Sequence, residues 1–266
     1  MPNDAELPIQ LVSTTPFDLA GRVALVTGSS RGIGLALARA LGEAGAELIL
    51  NARDQRALAS SAEVLRSEGL TVHVRAFDVC DPVAVIDAVD SFERDLGPID
   101  VLVNNAGFQK RGAVLDYDVD DFRRIIEVNL VSAFTVAKAV ARHMVGRGRG
   151  KIVNVCSVMS EVGRPTVAAY NATKGGLKML TRGMCADFGP LGIQVNGLGP
   201  GYFATELTAA LVADPEFSMW VERRTPAGRW GRVEELGGAI VFLASDASSY
   251  VNGHILYVDG GMTAVV

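Results

Sequence analysis

Seven short, almost wholly apolar runs punctuate the chain, each followed by turn residues and most by a stretch with the spacing of a helix. RVALVTG precedes a helix to Ala44, ELILN one from Asp54, and TVHVRAF one opened by Asp81 and Pro82. IDVLVNNAG, a long helix from about Asp118 to Val145, KIVNVCS, a helix around Tyr170, IQVNGLG, one further helix and HILYVDG complete the series. Apolar runs of this length without polar alternation are strands buried on both faces, and an acid followed by proline is a sound helix start. Alternation of this kind requires right-handed crossovers and hence a parallel sheet. The pattern predicts one α/β domain over residues 21–266, a doubly wound, parallel seven-stranded sheet with helices on both faces. Residues 1–20, with three prolines and no periodicity, are expected to form an arm wrapped over the domain or left loose.

Composition narrows what such a domain can do. Apolar residues make up 49% of 266 and the mean hydropathy is +0.26, enough for a large core, yet no run of 18 apolar residues offers a membrane span. A net charge of −5 argues against a nucleic-acid or anionic-membrane partner. The densest basic run, Arg147, Arg149 and Lys151 among glycines, reads as a solvated loop before a strand. Cys80, Cys156 and Cys185 have neither metal nor disulfide spacing, and His73, His143 and His254 are scattered, so no metal site is expected. With no Lys or Arg before Arg22 and no apolar core of signal-peptide length, a soluble cytoplasmic protein is expected.

The first strand runs into Thr27-Gly28-Ser29-Ser30-Arg31-Gly32-Ile33-Gly34. Glycines at 28, 32 and 34 let the backbone turn tightly and approach a ligand, and the helix that follows offers its amino-terminal amides, so a pyrophosphate is the expected guest. The spacing G-x-x-x-G-x-G differs from the G-x-G-x-x-G fingerprint and lacks the lysine of a P-loop. Some 20 residues on, where an acid would take the ribose hydroxyls of NAD, stand Ala52 and Arg53. A guanidinium there favours the 2′-phosphate of NADP(H), and Arg31 can reach the same region; the bland alternative is that both arginines are simply solvated. Asp54 reads as a helix cap.

The richest stretch is Ser157 to Lys174. Tyr170 and Lys174, four apart on a helix, stack on one face, and Ser157 ends the KIVNVC strand, where its side chain would enter a crevice. A tyrosine with a pKa of about 10 needs a drop of roughly 3 units, about 4 kcal/mol, to exchange protons freely near neutrality, and a neighbouring ammonium in a partly dry site can provide it. An interface tyrosine beside a solvated lysine is the bland alternative.

Together these residues resemble the short-chain dehydrogenase/reductase family over nearly everything from Gly21 onward. The family's T-G-x-x-x-G-I-G appears as Thr27 to Gly34, its N-N-A-G as Asn104 to Gly107, its asparagine as Asn129, its serine as Ser157, its Y-x-x-x-K as Tyr170 and Lys174, and its P-G turn as Pro200-Gly201. The resemblance implies a single-domain Rossmann fold in which Tyr170 is the general acid/base and Ser157 holds the substrate oxygen. Lys174 would bind the nicotinamide ribose and lower the tyrosine pKa, and Asn129 would hold a water linking Lys174 to solvent. It also implies that Asp78 and Val79 meet the adenine, that Asn105, Ala106 and Gly107 line the cofactor channel, and that Pro200, Gly201, Phe203 and Thr205 contact the cofactor. Residues 202 to 230 would form a substrate lid, and the assembly would be a homotetramer.

Within the family, the likeness is greater to the gluconate 5-dehydrogenases, or 5-keto-D-gluconate reductases. It rests on Gln109-Lys110-Arg111, on Cys156-Ser157 with Ser160-Glu161, on Gly183 to Cys185, on Pro200 to Glu206 and on Arg224 to Gly231; Phe108 and Lys110 depart from that group's pattern. Lys110 and Arg111, beside the cofactor channel, could hold a substrate carboxylate, and exposed loop charges are the alternative. The resulting expectation is an NADP-dependent oxidoreductase acting on a keto sugar acid. A short-chain reductase of 3-oxoacyl thioesters or steroids, and a non-enzymatic nucleotide sensor on the same fold, stand as alternatives.

Overall fold

The computed structural model describes residues 15–266, so most of the expected arm lies outside the described residues. Seven strands form the main sheet: β1 (Val23–Val26), β2 (Glu47–Ala52), β3 (Val72–Ala76), β4 (Ile99–Asn104), β5 (Gly150–Val155), β6 (Ile193–Pro200) and β7 (Ile255–Val258). All six neighbouring pairs are parallel, in the order β3-β2-β1-β4-β5-β6-β7. The doubly wound sheet expected from the pattern is therefore the observed one. The order reverses between β1 and β4, which leaves a crevice beyond their carboxyl ends.

Successive strand residues point to opposite faces, and both faces are covered. Ala24 and Val26 of β1 join Leu48, Leu50, Val101 and Val153 in a core completed by α1 (Gly32–Glu43), α2 (Gln55–Ser67) and α9 (Gly237–Ala244). Val23 and Leu25 join Ile49, Leu102, Ile152 and Val195 in a second core, completed by α3 (Pro82–Asp95), α5 (Ser132–Arg147) and α6 (Ala168–Phe188). Burial of one such leucine or valine contributes roughly 1.5–3 kcal/mol, so neither helix layer can leave without uncovering a full sheet face. Asp54 and Asp81 cap α2 and α3 as expected, each carboxylate accepting from two first-turn amides.

The expected long helix from Asp118 to Val145 is interrupted. α4 (Val119–Ile126) and α5 are joined by a π turn over Glu127–Val131, whose single extra residue no apolar periodicity reveals. Residues 202 to 230 contain α7 (Ala209–Val212) and α8 (Pro215–Arg224), and the two ends of this segment are tied together. Phe203–Ala204 pairs in parallel with Gly231–Arg232, and Gly231 N donates to Tyr202 O at 2.8 Å. Among the described residues, no helix is long and apolar enough to cross a membrane, and no cluster of His, Cys, Asp or Glu could hold a metal ion.

Candidate active site

Because the strands are parallel, the loops leaving the carboxyl ends of β1, β4, β5 and β6 meet in one crevice. A cavity of about 380 Å³ fills it, with Gly28, Arg31, Gly32, Ile33, Gly34 and Arg53 in one part of its wall. Gly28 has a φ of +62°, and a Cβ there would sit 2.8 Å from the Ala106 Cα. A side chain at Gly34 would collide with the Asn105 amide. That amide clamps the turn, Asn105 Nδ2 donating to the carbonyls of Thr27 and Gly28 at 2.9 Å each. Thr27 Oγ1 accepts in return from the backbone of Asn105 and Ala106. Arg31, at the start of α1, provides no side-chain cap, so the first-turn amides are left for another acceptor.

Not every predicted contact reaches the cavity wall. Asn105, Gly107, Pro200, Gly201, Phe203 and Thr205 do, whereas Ser30, Asp78, Val79 and Ala106 do not. The carbonyl of Ser30 accepts from Ser61 Oγ, the Asp78 carboxylate accepts from Cys80 N, and Val79 is buried. Local hydrogen bonding of the loops occupies Ser30, Asp78 and Ala106.

Ser157, Tyr170 and Lys174 come together as their spacing predicts. Ser157 follows β5, its Oγ accepting from Met159 N at 3.1 Å, and it opens the short turn that leads toward α6. Lys174 is 5% exposed, its Nζ 5.6 Å from the centre of the Tyr170 ring and donating to Val155 O at 2.6 Å. The expected fall in the tyrosine pKa is not what this arrangement produces. Burial pushes the phenol up to about 12, the Ser157 hydroxyl pulling the other way, and burial brings Lys174 down to about 8. Both groups are buried and the ammonium is turned to the Val155 carbonyl, so desolvation is the largest influence on each. At neutral pH the pair is a phenol and an ammonium.

Asn129 lies in the π turn, fully buried, and its amide is committed to the loop after β4. Oδ1 accepts from Phe108 N at 2.9 Å and Nδ2 donates to Phe108 O at 2.8 Å. The asparagine thus clasps the backbone as a neighbouring strand would, just before Gln109, Lys110 and Arg111.

Those last residues separate. Lys110 is turned away from the cavity and pairs with Asp121 on α4, the nearest acid to its flexible stem. Arg111 lines the cavity and is joined there by Arg164, which the sequence reading missed. Both guanidinium groups sit against Phe217, at 5.7 and 5.1 Å from its ring centre. Phe217 belongs to a cluster with Tyr202, Trp220 and Trp230, in which Tyr202 meets each of the other three edge-on at 5.6–5.7 Å. Arg111 is lowered from the usual guanidinium value, by burial first and by Arg164 next. A signal for Arg164 existed in chain reach alone, since a basic residue six positions before Tyr170, on the link from Ser157, cannot be far from either.

Comparison with known proteins agrees with this geometry. A family model described as Enoyl-(Acyl carrier protein) reductase matches residues 28–263. The chain is similar to a gluconate 5-dehydrogenase of Gluconobacter oxydans, 56% identical over 93% of this chain and 96% of the relative. It is also similar to the 5-keto-D-gluconate 5-reductase of Escherichia coli K12, 49% identical over 94% of this chain and 98% of the relative. Among solved structures, a gluconate 5-dehydrogenase from Burkholderia cenocepacia in complex with NADP and tartrate superimposes with a TM-score of 0.92. The two are 55% identical over 94% of this chain and 98% of that one.

Proposed function

We propose that this chain, which belongs to the short-chain dehydrogenase/reductase family, is an NADP-dependent oxidoreductase that moves a hydride between NADPH and the carbonyl of a keto sugar acid. The pair 5-keto-D-gluconate and D-gluconate is the reading that its relatives' names favour. One observation carries it: a single cavity is lined by Ser157, Tyr170 and Lys174 and also by four arginines, Arg31, Arg53, Arg111 and Arg164, none of which has a carboxylate partner among the described residues.

The glycine turn fits a dinucleotide phosphate. A Cβ at Gly28 or Gly34 would fill the cradle, the first-turn amides of α1 lack an acceptor from the chain, and Arg31 and Arg53 supply the charge that a 2′-phosphate needs. The bound cofactor would supply the hydride. Tyr170 Oη holds a proton well past neutrality and gives it to the carbonyl oxygen during reduction, while Ser157 Oγ fixes that oxygen by a hydrogen bond. Lys174 would bind the nicotinamide ribose, and Asn129 would keep the floor of the site in place through Phe108. In the oxidative direction Tyr170 must first lose its proton, so its raised pKa favours reduction at neutral pH and oxidation in alkali.

Arg111 anchors the substrate carboxylate. A polyol chain makes many weak hydrogen bonds that cannot set one carbonyl against the nicotinamide, so a charged grip at the far end fixes the register. Tartrate, a hydroxy acid, accompanies NADP in the Burkholderia relative, which supports an anion here. The test is NADPH oxidation with 5-keto-D-gluconate, an uncharged ketose, an acyl thioester and a steroid. The acid should be preferred, and Arg111→Ala should lose on the order of 2 kcal/mol in kcat/KM for the acid alone, mostly through KM. Indifference to 5-keto-D-gluconate beside turnover of a thioester or steroid would overturn the reading.

The same chain is proposed to be a cytoplasmic homotetramer. Its three cysteines stand free, as they do in a reducing compartment. Phe122 on α4, Val131 at the end of the π turn, Phe134 on α5 and Met179 on α6 remain exposed, an apolar band that self-association would cover. Light scattering at micromolar concentration should give four chains, and a monomer there would refute the assembly.

A further inference from the structure

Arg164 has no task in the mechanism above, yet its surroundings hold it as tightly as those of Arg111. It lies on the link between the turn after Ser157 and α6, and its Nε donates to Tyr202 Oη at 3.0 Å. Phe217 packs against the guanidinium. Only Nε is used, so both Nη groups, the edge that grips a carboxylate in the bidentate manner, have no hydrogen-bond partner among the described residues. The group lines the same cavity as Arg111 and repels it, as the lowering of Arg111 records. A structural arginine ordinarily spends its donors on carbonyls or acids, as Arg66 does on Val72 O and Arg147 on Glu93. Two guanidiniums set against one ring, neither paired with an acid among the described residues, make a site suited to an anion.

We propose that Arg164 is the second arm of a two-arginine clamp for the substrate's carboxylate, held in position by the hydroxyl of Tyr202 and the ring of Phe217. This rests on the keto-acid reading above and extends it to a residue outside the Ser157, Tyr170 and Lys174 cluster. Because both positioning groups belong to the 202–230 segment, carboxylate recognition and the seating of that segment over the cavity are one event. A carboxylate between the two guanidiniums removes their repulsion and leaves Arg164 bridging substrate and segment. A specificity residue of this kind acts on binding and register and leaves the proton transfer at Tyr170 alone.

The test uses Arg164→Gln, which keeps length and polarity without charge, with Arg164→Lys and Tyr202→Phe beside it. With NADPH saturating, Arg164→Gln should raise KM for 5-keto-D-gluconate about tenfold or more, with kcat within about threefold and NADPH affinity unchanged. Arg164→Lys should recover part of the loss, and Tyr202→Phe should cost only a few-fold. A purely structural role would move the KM of the acid and of an uncharged ketose alike, and that result, like no change in either, would overturn the proposal. Calorimetric titration of tartrate into the NADPH complex separates this from the choice of substrate. Tartrate binding that weakens about tenfold in Arg164→Gln supports the clamp even if 5-keto-D-gluconate is not turned over. Tartrate that does not bind the wild-type complex, or binds the variant equally well, removes it.

Discussion

The turn after β1 and the segment over residues 202–230 line the same cavity, and they are made of different material. At the turn the wall is backbone: Gly28 and Gly34 leave no room for a side chain, and Asn105 ties the two carbonyls of the turn to the loop after β4. At the segment the wall is side chain: Tyr202 lines it, backed ring to ring by Phe217, Trp220 and Trp230, and the wall residues Arg111 and Arg164 sit against Phe217. A backbone wall recognises what every dinucleotide shares, a pyrophosphate, and tolerates few changes. A side-chain wall can be rewritten one residue at a time, which suits the part of a reductase that chooses the substrate.

The largest expected effect falls between the two walls, where the proton moves. Tyr170→Phe keeps the ring and removes the only transferable proton, so turnover should drop at least about 100-fold with NADPH affinity nearly intact. The wild type should show an oxidation rate that climbs from pH 7 to 10, because a phenol raised toward 12 is increasingly deprotonated over that range. The variant should lose that climb. Near wild-type turnover in the variant, or an oxidation rate already level below pH 7, would separate Tyr170 from the chemistry.

A smaller effect is expected at the edge of the backbone wall, the one place where side chains decide there. Replacing Arg53 by Ala and Ala52 by Asp deletes a phosphate partner and supplies a ribose acceptor. The ratio of kcat/KM for NADPH over NADH should then shift by roughly 30-fold or more toward NADH, about 2 kcal/mol. Equal values for both cofactors in the unaltered protein would show that Arg31 and Arg53 merely face solvent.

The same contrast explains what could be read from the sequence. All seven strands, the caps Asp54 and Asp81, the glycine turn and the convergence of Ser157, Tyr170 and Lys174 follow from local signals: apolar runs, short-range spacing and glycine where only glycine fits. The charged side of the cavity is assembled from positions far apart in the chain, 111, 164 and 217, so Arg164 gives no sign of meeting Arg111 across Phe217. Lys110 and Arg111 both fall beside the cofactor channel in the sequence, but adjacent residues in a loop point apart, and Lys110 pairs with Asp121 instead. The tyrosine pKa escaped for a similar reason. Spacing places an ammonium beside a phenol, but how dry the site is depends on everything packed around it.

The π turn at Glu127–Val131 turns a matter of identity into one of count. A regular helix advances about 100° per residue, so the single residue taken in by the wider turn sets the facing of all of α4 against α5. A descendant that lost one residue there would keep its helix, its apolar stripe and every letter of the Asn129, Ser157, Tyr170 and Lys174 set. It would nevertheless swing Asn129 off Phe108 and release the loop that presents Arg111. In this protein the motif is spelled in residues and also in phase, and a deletion that no substitution table would flag could silence it.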